Sequence, residues 1–154
     1  MRLTTFSDYC LRVLMFVSAK DGDLATIDEI AKSYGVSRNH LMKVVFRLGQ
    51  LGYLANVRGK GGGIYLAKKP EDINIGALVR QTEEDLVLVE CFQQSSADCQ
   101  IQSACVLKHA LTKALNAFLT VLETYTLADL MAPRRRLAQL LHIPPATQQA
   151  KKAS

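Results

Sequence analysis

Three cysteines lie close together in the second half of the chain: Cys91, Cys99 and Cys105, in a C-x7-C-x5-C pattern. Cysteine thiolates bind zinc and iron–sulfur clusters, and accessible thiols also carry redox chemistry. Zinc modules usually pair their cysteines at gaps of roughly two to four residues. The gaps of seven and five residues are wider than that. The pattern therefore favours an iron–sulfur cluster over a zinc site.

A cluster at these thiols needs a further ligand, because iron–sulfur clusters usually take about four. A histidine, an acidic residue, Cys10 or a small molecule could supply it. The alternative is that the cysteines are simply buried, as free cysteines often are. That alternative suits Cys10, which falls on the apolar face of a predicted helix. It suits the other three poorly, because they lie in a polar, loop-like segment.

Composition limits the class of protein. The chain has 154 residues, is 49% hydrophobic and carries a net charge of +5. This length suits one small domain with an appended element, and the basic charge favours a polyanionic partner. We see neither a signal-peptide pattern nor an apolar run of about 18 residues. We therefore expect a cytoplasmic protein without membrane association, in which unpaired thiols stay reduced.

The first 52 residues predict three helices in a helix-turn-helix arrangement. Apolar residues recur with helical spacing over about residues 5–19. Thr26-x-x-Glu29 is a capping box that begins a second helix, and Gly35 ends it at a tight turn. Ser37 then caps a third helix. Two helices joined by a short turn containing glycine are typical of DNA-binding heads.

A β-hairpin is predicted directly after the third helix. Two β-prone runs, residues 53–57 and 64–67, flank the basic, glycine-rich stretch 58–63. A helix-turn-helix followed by such a hairpin is a winged helix. The predicted fold class is therefore mainly α with a small β-hairpin: a winged helix-turn-helix plus a long dimerisation helix.

The second half is predicted to hold one short helix and one long helix. The short helix covers about residues 75–83, a loop covers 86–104, and one uninterrupted helix runs from about 104 to 131, where Pro133 breaks it. Its apolar seam is nearly a coiled coil: Leu111, Leu115, Phe118, Leu122 and Tyr125. This divides the chain into a DNA-binding domain (1–83), a cluster-binding loop (84–106), a dimerisation helix (107–132) and a basic, partly disordered tail (133–154).

Polar and basic residues cluster where a winged helix meets DNA. Arginine can bind guanine and asparagine can bind adenine in the major groove, while the free N–H groups of a helix N-terminus suit a phosphate. Glycines in the wing let its backbone approach DNA closely. The predicted DNA-binding residues are Ser37, Arg38, Asn39, His40, Lys43, Arg58 and Lys60.

Two other classes of function fit less well. An enzyme is disfavoured because the sequence has no Ser/His/Asp grouping, no phosphate-binding loop and no dinucleotide fingerprint. The glycine-rich run 59–63 lacks the residue order of a nucleotide-binding loop. A protein–protein adaptor would not need Arg38, Asn39, Lys43 and Arg58 on one surface.

The chain resembles the winged-helix iron–sulfur regulators, a group that includes the IscR and NsrR types, and it resembles the NsrR type most closely. The matching stretches span residues 3 to about 130. They are Leu3-Thr4-x-Phe6-x-Asp8-Tyr9, Tyr34-Gly35-Val36-Ser37-Arg38-Asn39-His40, Val57-Arg58-Gly59-Lys60-x-Gly62-Gly63-Ile64, Ala104-Cys105-x-Leu107-Lys108-x-Ala110-Leu111 and Tyr125-Thr126-Leu127-Ala128-Asp129-Leu130.

The resemblance implies a homodimer with crossed long helices and one cluster per subunit. It implies ligation by Cys91, Cys99 and Cys105, with Asp8 of the partner subunit as the fourth ligand. IscR-like proteins carry a histidine three residues after the third cysteine, where this chain has Lys108. That difference favours the NsrR type. The C-x7-C gap is longer than is usual in these relatives.

The resemblance also implies a function. The expected protein is a repressor that binds a double-stranded DNA operator and senses nitric oxide through its cluster. Cluster nitrosylation would derepress genes of nitrosative stress, and Asp8, once released, would pair with Arg12. A [4Fe-4S] cluster is favoured; the open alternative is a regulator that senses redox or cluster status through a [2Fe-2S] cluster.

Overall fold

Helices and one two-stranded hairpin make up the chain in this computed structural model, which describes residues 2–92 and 99–144. The elements are α1 (Thr5–Ala19), α2 (Ile27–Tyr34), α3 (Arg38–Gln50), β1 (Leu54–Val57), β2 (Gly63–Leu66), α4 (Ile75–Thr82), α5 (Val106–Glu123), α6 (Leu127–Leu130) and α7 (Arg134–Leu140). Short 3-10 turns lie at Pro70–Asp72, Glu90–Phe92 and Gln102–Ala104. Within the described ranges, every helix is too short or too polar to cross a lipid bilayer.

The helix-turn-helix forms at the predicted signals. Thr26 and Glu29 make both hydrogen bonds of a capping box at the start of α2. Gly35 ends this helix with φ +64°, a left-handed conformation that glycine adopts without steric cost. The Oγ atom of Ser37 then accepts the N–H of His40 and caps α3. The prediction of a winged helix-turn-helix is confirmed.

The wing is an antiparallel hairpin that is tied to the head. Leu54 pairs with Leu66, and Val57 pairs with Gly63. Ile64 also exchanges two backbone hydrogen bonds with Ala25, of 2.8 and 2.9 Å. These two bonds hold strand β2 against the segment that precedes α2.

Helix α1 lies at the centre of the core. It packs against α3, α4, α6, α7 and β2. Its inward face is fully buried, and α3 contributes a second buried stripe that includes Leu41, Val44 and Leu48. The helix-turn-helix and the C-terminal helices therefore share one core.

The prediction of one uninterrupted helix over residues 107–132 is wrong, because the structure has two helices there. Helix α5 ends at Glu123, and α6 begins after a second capping box formed by Thr126 and Asp129. Asn74, the N-cap of α4, holds the chain at this bend. The side-chain amide of Asn74 donates a hydrogen bond of 2.7 Å to the carbonyl of Glu123. The N–H of Ile75 donates to the carbonyl of Tyr125 at 3.0 Å.

The tail predicted over 133–154 begins with ordered structure. Helix α7 packs on α1, and an Nη2 of Arg134 donates to the carbonyl of Ser18 at 2.7 Å. Ile143 is buried, and Leu137 and Leu141 pack against the core. The basic tail is thus a helical element as far as residue 140. Residues 145–154 lie outside the described ranges.

Candidate nucleic-acid interface and metal centre

The N-cap and the first two turns of α3 present five predicted DNA-binding side chains to solvent. Ser37, Arg38, Asn39, His40 and Lys43 are exposed, while the opposite face of the helix is buried in the core. A helix held by its apolar face and exposed at its N-terminal turn has the geometry of a recognition helix.

Two of these side chains contact neighbouring helices. The Nη1 atom of Arg38 lies 2.9 Å from the Oδ1 atom of Asp28 on α2. The ring of His40 stands 6.4 Å, centroid to centroid, from the ring of Tyr9 on α1. The sequence pattern did not reveal these contacts, because they join residues of different helices.

The wing tip carries Arg58 and Lys60, both exposed. Gly59 has φ +100°, a conformation that strains other residues. A side chain at Gly62 would collide with the carbonyl oxygen of Val57. These glycines keep the tip narrow and place its two cations at the outer end of the hairpin.

A surface groove of about 590 Å³ separates α3 from the wing. Met42 and Phe46 of α3 form one wall and are 53% and 67% exposed. Asn56 and Arg58 line the wing side. Sequence reasoning missed both apolar residues. Their signal was present: they are large apolar side chains outside the buried stripe of α3, spaced by one helical turn.

Asp8 lies near the start of α1 and pairs with Arg12. Its Oδ2 lies 2.9 Å from Nε of Arg12, and the side chains are 43% and 45% exposed. The hydrogen bond that Arg12 donates to the Asp8 carboxylate raises the pKa of the guanidinium. This guanidinium also lies 5.6 Å from the centre of the ring of Tyr34, the last residue of α2. The pair thus connects α1 with the turn of the DNA-binding head.

The start of α1 is also joined to the segment that leads to the cysteines. Ser7 donates a buried hydrogen bond of 2.8 Å to Oγ1 of Thr82, at the end of α4. The backbone N–H of Thr4 donates to the carboxylate of Glu83 at 2.9 Å. Asp8 therefore lies one residue away from a contact between α1 and the end of α4, directly before the predicted cluster loop.

The structure describes the side chains of only two of the three predicted cluster thiols. Cys99 is exposed, and Cys105 is half-buried directly before α5. Cys91 lies in the turn Glu90–Phe92, but its side chain is outside the described part, as are residues 93–98. Within residues 2–92 and 99–144, no three described metal-binding side chains converge. The ligand set stays a prediction.

Cys10 is not suited to metal binding. Its side chain is fully buried in α1, and burial raises the pKa of its thiol to about 12. A thiol without access to solvent stays protonated, whereas metal ligation requires the thiolate. Cys10 is therefore excluded from the candidates for the fourth ligand that the sequence left open.

The surroundings of Cys105 suit an anionic, water-sensitive group. Cys105 is the N-cap of α5, where the first backbone N–H groups stabilise negative charge. Ile101, Val106 and Leu107 are 65%, 79% and 65% exposed. Soft thiol donors beside a helix N-terminus and an apolar rim fit an iron–sulfur cluster.

Comparison with known proteins identifies the family. Residues 3–133 match the family model Rrf2, described as an iron-dependent transcriptional regulator. The chain belongs to the Rrf2 family. It is 52% identical over 142 residues to the HTH-type transcriptional regulator NsrR of Bacillus subtilis, covering 92% of this chain and 97% of that protein. The NsrR of Geobacillus kaustophilus is 50% identical, with the same coverage.

A solved structure supports the same assignment of the fold. The chain of T. potens IscR superposes with a TM-score of 0.70 at 23% identity, covering 89% of this chain and 90% of that one. The resemblance to winged-helix regulators is confirmed. This Rrf2 protein is a transcriptional regulator and not an enzyme.

Proposed function

We propose that this Rrf2 protein is a DNA-binding transcriptional repressor of the NsrR type, which holds an iron–sulfur cluster and releases DNA in response to nitric oxide. It would act in the cytoplasm on genes of nitrosative stress. The observation that carries the proposal is the 52% identity to an NsrR regulator across 92% of the chain. The exposed recognition turn and the thiol segment support it.

DNA recognition would use α3 and the wing together. The N-terminal turn of α3 enters the major groove, where Arg38 and Asn39 reach base edges and Ser37 lies near a phosphate. His40 and Lys43 flank this contact. Arg58 and Lys60 of the wing would bind the backbone or the minor groove. All seven residues are exposed, as such contacts require.

Cys91, Cys99 and Cys105 would hold the cluster, with Asp8 of the partner subunit as the fourth ligand. When bound, a [4Fe-4S] cluster supplies iron that reacts with nitric oxide. The Asp8 carboxylate suits this role because it is 43% exposed and is engaged only in a surface ion pair among the described contacts. Such pairs contribute about 0–1 kcal/mol, so a bound metal could replace Arg12 as the partner of the Asp8 carboxylate.

A homodimer is supported by an apolar face on α5. Leu107 and Val121 are 65% and 57% exposed. Between them, Ala110, Ala114 and Ala117 are also exposed and continue the same stripe. Its spacing of three and four residues is that of a helix–helix seam, and its alanines allow close approach. Of the seam expected from the sequence, Tyr125 is 46% exposed, and four members are half-buried: Leu111, Leu115, Phe118 and Leu122.

Signalling would follow from the two partners available to Asp8. While Asp8 contacts the partner subunit's cluster site, the two heads are held at one spacing. When it returns to Arg12, it restores a contact that extends to Tyr34 beside the helix-turn-helix turn. A change in the spacing of the heads would mismatch two half-sites about one helical turn apart.

The first test is the cofactor content of the protein purified without oxygen. We expect about four iron and four sulfide per chain and a visible thiolate–iron spectrum, all lost in Cys99→Ser and Cys105→Ser. Cys10→Ala is the matched control and should keep the cluster. Two iron per chain would support the [2Fe-2S] alternative. A protein with zinc or no metal would overturn the proposed cofactor.

A further inference from the structure

We infer that Met42 and Phe46 bind thymine methyl groups in the DNA, so that part of the sequence preference comes from apolar contacts. This inference rests on the proposed DNA binding and adds specificity-determining residues to it. The two side chains follow Arg38 at intervals of four residues, so all three lie on one stripe of α3. A helix that inserts Arg38 into the major groove would carry Met42 and Phe46 along the same groove.

Neither side chain belongs to the buried core of the described residues. The buried stripe of α3 is Leu41, Val44, Val45 and Leu48, whereas Met42 and Phe46 are 53% and 67% exposed. Clustered exposed apolar side chains indicate a binding surface more often than isolated ones do. Together they form one wall of the groove between α3 and the wing.

The charge around this groove selects its occupant. Arg58 lines the groove from the wing, and the exposed Lys43 and Arg47 directly follow Met42 and Phe46 in the sequence of α3. A polyanion is therefore favoured, and it must also present apolar groups. In the major groove of DNA, the C5-methyl of thymine is the apolar group that distinguishes one base pair from another. Duplex DNA containing thymine meets both requirements.

The test compares thymine with uracil in one duplex. The full-length protein, purified without oxygen, selects a duplex from a random pool, and a second copy of it carries deoxyuridine in place of every thymine. We expect affinity to fall about fourfold for each contacted methyl lost, the value for burying one methyl-sized group. The difference in affinity between the two duplexes should be smaller for Met42→Ala and for Met42→Gln than for the wild type. The single variant Phe46→Ala should reduce this difference as well.

Leu140→Ala is the matched control, because Leu140 is 67% exposed but lies on α7. It should keep the wild-type preference for thymine. Equal binding of both duplexes by the wild type would overturn the inference, as would a preference unchanged in Met42→Ala and Phe46→Ala, or a selected sequence whose half-sites lack thymine. Such results, with salt-dependent DNA binding intact, would leave the proposed function standing. Failure to select or bind any duplex would overturn both.

Discussion

Arg38, the first residue of the recognition helix, is bound by Asp28 of the preceding helix at 2.9 Å. Both side chains remain more than 60% exposed. If Arg38 contacts a base as proposed, Asp28 competes with DNA for its guanidinium. Asp28 would therefore lower the affinity of the head for DNA of any sequence.

Replacing Asp28 should strengthen DNA binding. Asp28→Asn releases Arg38 from a surface pair that contributes up to about 1 kcal/mol, so affinity should rise roughly two- to fivefold at low salt. The gain should shrink as salt is added. Fluorescence anisotropy with a random-sequence duplex measures this.

Asp21→Asn is the control for that change. Asp21 has the same exposure as Asp28, 64%, but it follows the C-terminal end of α1 and pairs with Arg134. Asp21→Asn should leave DNA affinity unchanged. Weaker binding by Asp28→Asn would show instead that Asp28 orients Arg38 for contact with a base.

Removing the Asp8 carboxylate should shorten the lifetime of the cluster. Asp8→Ala takes away the proposed fourth ligand, whereas the loss of a surface ion pair costs the fold at most about 1 kcal/mol. The visible absorbance should decay faster in air and the response to nitric oxide should change, with little shift in the melting temperature. The ligand assignment is wrong if cluster lifetime and response match the wild type.

Gly76 of α4 packs directly against Glu123, the last residue of α5. A Cβ there would come within 2.7 Å of the backbone nitrogen of Glu123. Gly76→Ala should therefore lower the free energy of unfolding by about 1–3 kcal/mol, because backbone must move. Urea denaturation measures this loss.

Gly49→Ala provides the comparison for Gly76→Ala. In α3 the nearest atom to an added Cβ at Gly49 is 3.9 Å away, and alanine favours the helix by up to about 1 kcal/mol. This variant should be as stable as the wild type or more so. Equal destabilisation by both changes would contradict the packing described for α4 and α5.

The capping box of α2 should make stability depend on pH. Burial raises the pKa of Glu29, but the hydrogen bonds from Lys20 and Thr26 outweigh it and leave the pKa below its usual value. A lowered pKa in the folded state means that ionised Glu29 stabilises the fold above the unfolded pKa, and that this stabilisation disappears as pH falls through the folded pKa.

Glu29→Gln should accordingly unfold more easily than the wild type at pH 7, and the difference should disappear as pH falls through the folded-state pKa of Glu29. We expect a difference of about 1 kcal/mol at pH 7, allowing for the partial exposure of the carboxylate. Glu71→Gln, at an exposed carboxylate in a 3-10 turn, is the control. A difference that persists unchanged at low pH would mean that the charge of Glu29 contributes nothing.

Local signals in the sequence predicted the DNA-binding head well. The signals that end and begin these helices are hydrogen bonds and turns between residues three or four positions apart, so they do not depend on the rest of the fold. They come from Thr26, Glu29, Gly35 and Ser37. The end of α5 was missed because apolar spacing continues past it to Leu127. Thr126-x-x-Asp129 marked a new helix start, but the bend itself depends on Asn74, which is distant in sequence.

The candidate site was predictable only in part. Residue types located the recognition turn and the wing cations. The partners of these residues were not predictable, because Asp28 meets Arg38, and Tyr34 meets Arg12, only after the helices pack. Met42 and Phe46 were overlooked because a pattern search for core positions ignores apolar residues on a polar face.

The measurement that tests the account most directly is a nitric oxide titration of the anaerobic protein bound to its selected DNA duplex, with the visible spectrum and DNA affinity followed in the same sample. The account predicts that the cluster absorbance bleaches and that affinity falls in parallel, by at least about tenfold. Cluster bleaching with unchanged DNA affinity would contradict it. So would tight, salt-dependent DNA binding by a protein that never held iron and ignores nitric oxide.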